Sequence, residues 1–174
     1  MSTFYIIFCI IVLEVIIINI FVDADGCPVV SIAIDIAKEF RKDITIVKNY
    51  AHNITSDYAN VVTVDISRDS ADYYIVNHIS SGDIVVTQDY GLAAMILARG
   101  GIGINQNGNV ITEENIDGML NTRHINQKLR KQNIHTSKFK KRNVEANIAF
   151  ETGLRNLIKE WLYGHIKRYY IRKG

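Results

Sequence analysis

Two aspartates one residue apart, Asp23 and Asp25, end a short apolar run and stand directly before Gly26 and Pro28. A β-branched run that stops at acids and then meets glycine and proline before an amphipathic stretch reads as strand, tight turn and helix start. In an open α/β sheet, ligands sit beyond the carboxyl ends of the strands, so both carboxylates are expected to project into that crevice. Like charges there repel unless something positive joins them, and the usual candidate for oxygen donors is a hard divalent cation. The plainer alternative is that Asp25 caps the following helix while Asp23 bonds a loop amide.

Further acids repeat the placement. Asp69 can cap a helix with Asp72 three residues on, a capping-box variant in which carboxylates also suit the positive helix end. Asp72 also precedes Ile75 and Val76 by three and four residues, so it shares their inward face near the strand termini. Asp65 and Asp89 each close an apolar run, 61–64 and 84–87. Beside these candidates stand Ser70, Cys27 at the acidic turn, and Asn105 at the end of another short run.

The elements that must position these groups alternate. Val29, Ile32, Ala33, Ile36, Ala37 and Phe40 recur at helical spacing after Pro28, and 43–47 and 61–64 are compact strands. A helix from Asp69 leads to strand 84–87, which is too apolar for two exposed faces and so suits a parallel sheet. Leu92, Met95 and Ile96 mark another helix that ends at Gly100-Gly101, and 102–104 is expected as the last strand, with turn chemistry over 105–109. Phe150, Leu154, Leu157, Ile158, Trp161 and Leu162 mark a final helix that docks by one face. His52 and Tyr58 read as surface or packing residues.

A chain of 174 residues with 48% hydrophobic and 22% charged residues suits one globular domain with an arm. Two cysteines, Cys9 and Cys27, form neither a disulfide framework nor a zinc spacing, so a reducing, cytoplasmic setting is the simpler expectation. The net charge of +2 hides a polarity. Residues 1–122 carry 6 Lys/Arg against 15 Asp/Glu, and residues 123–174 carry 14 against 3. An acidic body with a basic arm suggests a polyanion such as RNA or DNA, and Lys128, Arg130, Lys131, Lys138, Lys140, Lys141 and Arg142 could track its phosphates. The alternative is that the arm folds back on the acidic body. The tyrosines among the closing basic residues 167–173 could stack on bases, or cover a helix end.

Residues 4–22 look at first like a membrane span or signal. No Lys or Arg precedes the run, no small-residue cleavage site follows it, and Glu14 lies inside it. The strand before Asp23 also claims its last residues, leaving less than the ~20 a span needs. Residues 1–17 are therefore an extension: an anchor that would make the protein membrane-associated, an oligomerising segment, or a misplaced start.

Three spaced motifs carry a family resemblance: Val-Asp-Ala-Asp-Gly-Cys-Pro-Val at 22–29, Asp-Ser-Ala-Asp at 69–72 with Ile-Val-Asn at 75–77, and Gly-Asp-Ile-Val-Val-Thr-Gln-Asp-Tyr-Gly-Leu-Ala-Ala at 82–94. From about Ile18 to Leu157 the chain resembles the bacterial YaiI/YqxD family, whose fold is similar to PIN-domain nucleases. Such nucleases gather acids around Mg²⁺ or Mn²⁺ to hydrolyse phosphodiesters. The resemblance implies a PIN-like three-layer α/β domain over 18–122, with a central mostly parallel sheet, and a basic helical C-terminal region over 123–174 packed on it. It further implies Asp23, Asp72 and Asp89 as metal ligands, Asp25 as a fourth member of the catalytic set and Asp69 adjacent. The step from fold to activity is an analogy.

Three rivals stand beside the nuclease. Asp23-Ala-Asp-Gly resembles the nucleophile motif of haloacid-dehalogenase phosphatases, with Asp23 attacking phosphorus and Asp25 as acid/base. Cys27 follows where that motif has Thr or Val, and no matching lysine or late aspartate pair is evident. Cys27 as nucleophile would need a lowered pKa, and its acidic neighbours raise it. A nucleic-acid- or partner-binding module with a vestigial acidic site is the non-enzymatic rival.

Overall fold

Apolar residues with period 2 or 3.6 dictate a sheet covered on both faces. The computed structural model describes residues 18–51, 53–67, 69–131 and 142–173, the side chains of 123–124, 126–131 and 165–173 excepted. In chain order the elements are β1 (Ile20–Asp23), α1 (Val30–Glu39), β2 (Ile44–Asn49), β3 (Asn60–Val64), α2 (Ser70–His78), β4 (Ile84–Val86), α3 (Tyr90–Ala98), β5 (Ile102–Ile104), β6 (Val110–Ile111), α4 (Glu113–Lys131) and α5 (Val144–Lys173). The strand order is β3-β2-β1-β4-β5-β6, parallel throughout except for the antiparallel β5–β6 pair.

Alternation along the strands sorts the core into two faces. Ile20, Val22, Ile44, Ile46, Ile84, Val86 and Ile104 point to one side, where Ala33, Ile36 and Ala37 of α1 and Phe150, Leu154 and Ile158 of α5 close over them. Phe21, Val47 and Val85 point to the other, against Ala71 and Ile75 of α2 and Leu92 and Ile96 of α3. This is the expected three-layer α/β arrangement. A smaller cluster of Ala93, Ile111 and Ile116 seats α4 against α3. Helix α4 runs without a break through the expected boundary near residue 122.

Strand β6 was not expected after 102–104, because two residues in a polar window leave no periodicity to read. It forms because Asn105 turns the chain: Asn105 Oδ1 accepts from the backbone N–H of Asn107 at 2.9 Å and of Asn109 at 3.1 Å, with Gly108 at φ 82°. The resulting hairpin lies against α5. A Cβ on Gly108 would fall on the Ala149 carbonyl, and one on Gly153 would fall on the Gly108 backbone. Arg142 locks the contact, donating to Gln106 O at 2.7 Å, Ala146 O at 3.0 Å and Asn147 Oδ1 at 2.7 Å.

Among the described residues, no helix is long and apolar enough to cross a membrane. The apolar extension 1–17 and His52 lie outside those residues.

Candidate functional site

The sheet order reverses between β1 and β4: β2 and β3 continue to one side of β1, β5 and β6 to the other side of β4. Such a switch point opens a crevice at the carboxyl ends of the two strands. Asp23 closes β1 there. It is two residues after Phe21 and in register with Val47, so it lies on the face covered by α2 and α3. Thr87 follows β4 with the same parity as Val85, and its hydroxyl donates to Asp23 Oδ2 at 2.9 Å while accepting from the Asp89 N–H at 3.0 Å. One buried hydroxyl thus joins the two strand ends.

Burial raises the Asp23 pKa above the ordinary carboxylate range, opposed by the Thr87 hydrogen bond and reinforced by the charge on Asp25. Asp72 enters from the first turn of α2, where burial is again the largest cause, followed by the charges of Asp23, Asp89, Asp69 and Asp25, and its pKa is pushed up to about 6. Asp23, Asp25, Asp69, Asp72 and Asp89 therefore share one negative field. Asp65 does not: it leaves the edge strand β3 exposed, and it contributes to neither shift.

Local bonding corrects several expectations. Asp25 does not cap α1, whose N-cap is Val29, with no side-chain cap bond. Instead its carboxylate accepts from the Asn49 backbone N–H at 3.1 Å and from Asn49 Nδ2 at 2.9 Å, which pins the β1–α1 turn to the end of β2. Asp69 occupies the cap position of α2 without a side-chain cap bond, so the capping-box reading fails. The carboxylate that caps is Asp89, accepting from the Gly91 N–H at 2.7 Å at the start of α3.

The secondary candidates are largely structural. The Ser70 hydroxyl pairs with Ser67, and Asn105 is buried with its Oδ1 spent on the hairpin. Cys27 is a free, half-buried thiol whose pKa is raised first by burial, opposite to what an activated nucleophile needs. The Arg142 guanidinium is spent on α5 and the hairpin. The side chains of Lys128, Arg130 and Lys131, and the whole of Lys138, Lys140 and Lys141, lie outside the described residues.

Between α2 and α3 a groove of about 780 Å³ leads away from the acids, lined by Asp69, Asp72 and Asp89 and then by Tyr73, Val76, Asn77, Leu92, Met95 and Arg99. Among the described residues, no three acidic, His or Cys side chains converge closely enough to hold an ion as they stand. Thr87 and Asn49, which orient Asp23 and Asp25, were missed in the sequence. Thr87 carried a signal, being two residues beyond Val85 on a strand that ends in an acid.

The fold and site define a class: a three-layer α/β protein with an acidic cluster at the switch point of a mostly parallel sheet. A family model described as "Uncharacterized BCR, YaiI/YqxD family" matches residues 21–160, and the chain belongs to that family. It is 46% identical over 142 residues to a UPF0178 protein of Alkaliphilus oremlandii, covering 82% of this chain and 92% of that protein. A UPF0178 protein of Natranaerobius thermophilus is also 46% identical, covering 82% and 94%. One from Exiguobacterium sibiricum is 43% identical, covering 82% and 97%. Among solved structures, a mutant of Rae1 (YacP) from Bacillus subtilis aligns over 70% of this chain and 87% of that chain, at 15% identity and a TM-score of 0.39. A likeness that loose carries no argument about function.

Proposed function

We propose that the cluster at the β1–β4 switch point is a divalent-metal site, with Mg²⁺ or Mn²⁺ held by Asp23, Asp72 and Asp89, that serves hydrolysis of RNA or DNA phosphodiesters. The observation that carries the reading is the shared field at the switch-point crevice: after burial, the charges of Asp23, Asp89, Asp69 and Asp25 all act on Asp72, and those of Asp25 and Asp89 act on Asp23. Hard oxygen donors of one sign suit a hard cation, whose charge would offset the negative field they share. When bound, such an ion lowers the pKa of a bound water and neutralises phosphate charge. The chain's own contribution is orientation. Thr87 fixes the Asp23 carboxylate, the cap at Gly91 fixes Asp89, and the Asn49 pair holds Asp25 beside them.

Titration calorimetry of the full chain with Mn²⁺, against Asp23→Asn and Asp89→Asn, tests the site. Saturable binding that both substitutions abolish is the expected result, followed by Mn²⁺-dependent cleavage of RNA or DNA oligonucleotides. Absence of binding to folded protein would overturn the reading. The failure of three donors to converge favours a second reading, a nucleic-acid-binding module with no catalysis. Oligonucleotide binding without metal-dependent turnover would decide for it.

A further inference from the structure

The groove between α2 and α3 has a chemistry of its own. On α2, Asp69, Asp72, Tyr73, Val76 and Asn77 fall at i, i+3, i+4, i+7 and i+8, a single helical face. Both helices start at the carboxyl edge of the sheet, so the acids sit at one end of the groove, while Asn77 and Arg99 sit at the other. Arg99 is the C-cap of α3, ten residues beyond Asp89, or about 15 Å along the helix. Tyr73 is 71% exposed and Met95 42%, an aromatic face and an apolar patch open to solvent. Arg99 is exposed and makes no ion pair among the described residues. Among the described residues it is the one cation lining a groove whose opposite end carries Asp69, Asp72 and Asp89.

From this juxtaposition we infer that the α2–α3 groove is a binding site for single-stranded nucleic acid, with a base stacked on Tyr73 and a phosphate on Arg99. The inference rests on the nuclease reading for its direction, since the strand would lead to the acidic end, but it depends on different residues. The open tyrosine face selects the single strand. A base can stack on an aromatic side chain only when its own face is uncovered, which a duplex does not allow. Arg99 supplies charge complementarity for the backbone where the carboxylates cannot. The volume of about 780 Å³ falls within the range of small-molecule sites and suits a short run of nucleotides rather than a folded protein.

The test is fluorescence anisotropy with a fluorescein-labelled oligo-deoxythymidine and an oligo-uridine, each single-stranded and in duplex, with EDTA and with Mn²⁺. The wild-type chain should bind the single strands more tightly than the duplexes. Tyr73→Ala should weaken binding by about tenfold, while Tyr73→Phe, which keeps the ring, should restore it. Arg99→Ala should weaken binding and lower the slope of log affinity against log salt by about 0.7, and Arg99→Lys should keep the slope. Tyr163→Ala, on an exposed tyrosine of α5 outside the groove, should change nothing. Equal affinity for duplex, no binding of single strands, or wild-type affinity in both Tyr73→Ala and Arg99→Ala would overturn the inference. The two readings fail separately. Binding that depends on Tyr73 and Arg99 without Mn²⁺ uptake leaves the groove standing and removes the metal site. Mn²⁺ uptake with indifferent groove variants does the reverse.

Discussion

Replacing Asp72 by Asn should make the protein more stable, although it deletes a member of the proposed site. With its pKa pushed up to about 6, Asp72 holds a proton more tightly in the folded chain than in the unfolded one, where a carboxyl titrates near 4. The stability linked to that proton is fully present below about pH 4 and is lost as pH rises through about 6. Near neutral pH the ionised Asp72 is therefore a liability, worth about 3 kcal/mol if the whole shift were felt. Asp72 is only half-buried, and solvent screening brings the figure to about 1–1.5 kcal/mol. Asparagine has nearly the same shape and no charge. In urea with EDTA, Asp72→Asn should raise the midpoint by about 0.5 M near pH 7, for a slope of ~2–3 kcal/mol/M. Near pH 4 the two proteins should unfold together. A variant no more stable near neutral pH, or a gain equally large near pH 4, would show that the acids do not repel and would remove the argument for a cation.

The same proton competes with metal, so Mn²⁺ affinity in calorimetry should rise with pH through about 6; a flat profile would exclude Asp72 from the ligands. Gly153→Ala should lower the thermal midpoint, because the helix propensity gain of about 1 kcal/mol is outweighed by a methyl group placed on the Gly108 backbone. Asp83 is 2% exposed and accepts from Asn19 N at 2.9 Å, Asn19 Nδ2 at 3.3 Å and Ser80 N at 2.7 Å. Asp83→Ala should cost about 2–4 kcal/mol in denaturant unfolding, because it orphans those donors. Leu154→Ala should cost about 2–5 kcal/mol, as a fully buried leucine closing one sheet face.

The acids were legible because strand ends are legible: an apolar run that stops at a carboxylate announces where that carboxylate points. Asp23 and Asp89 could be read that way, and Asp72 from the helical stripe that places it over the crevice. What bound them could not be read. The Thr87–Asp23 bond exists only because β4 lies beside β1, and that adjacency is a property of strand order rather than of local pattern. The Asn49–Asp25 pair depends in the same way on β2 lying on the other side of β1. Arg142 read as a phosphate contact because its partners are mainly backbone carbonyls, one of them 36 residues away, which leave no trace in a charge count. Cap position was better predicted than cap chemistry, as Asp69 shows: a residue can stand at a helix start and turn its side chain elsewhere.

The clasp between the hairpin and α5 also sets an order of events in time. β1 is among the first described elements to be synthesised, yet the face bearing Ile20 and Val22, which α1 covers in part, is completed only by Phe150, Leu154 and Ile158, more than a hundred residues later. At about 5–20 residues per second, the part of that face that α5 covers waits roughly 6–26 s during translation. The opposite face, served by α2 and α3, has both of its helices much sooner. A nascent chain stalled before Phe150 would therefore carry one finished side and one side covered by α1 alone, with the α5 half of its β-branched face open, a natural target for chaperones and for proteases that survey incomplete proteins. Release of the C-terminal helix is then the step that commits the molecule to its native state, and loss of that helix should be read first as solubility rather than as activity.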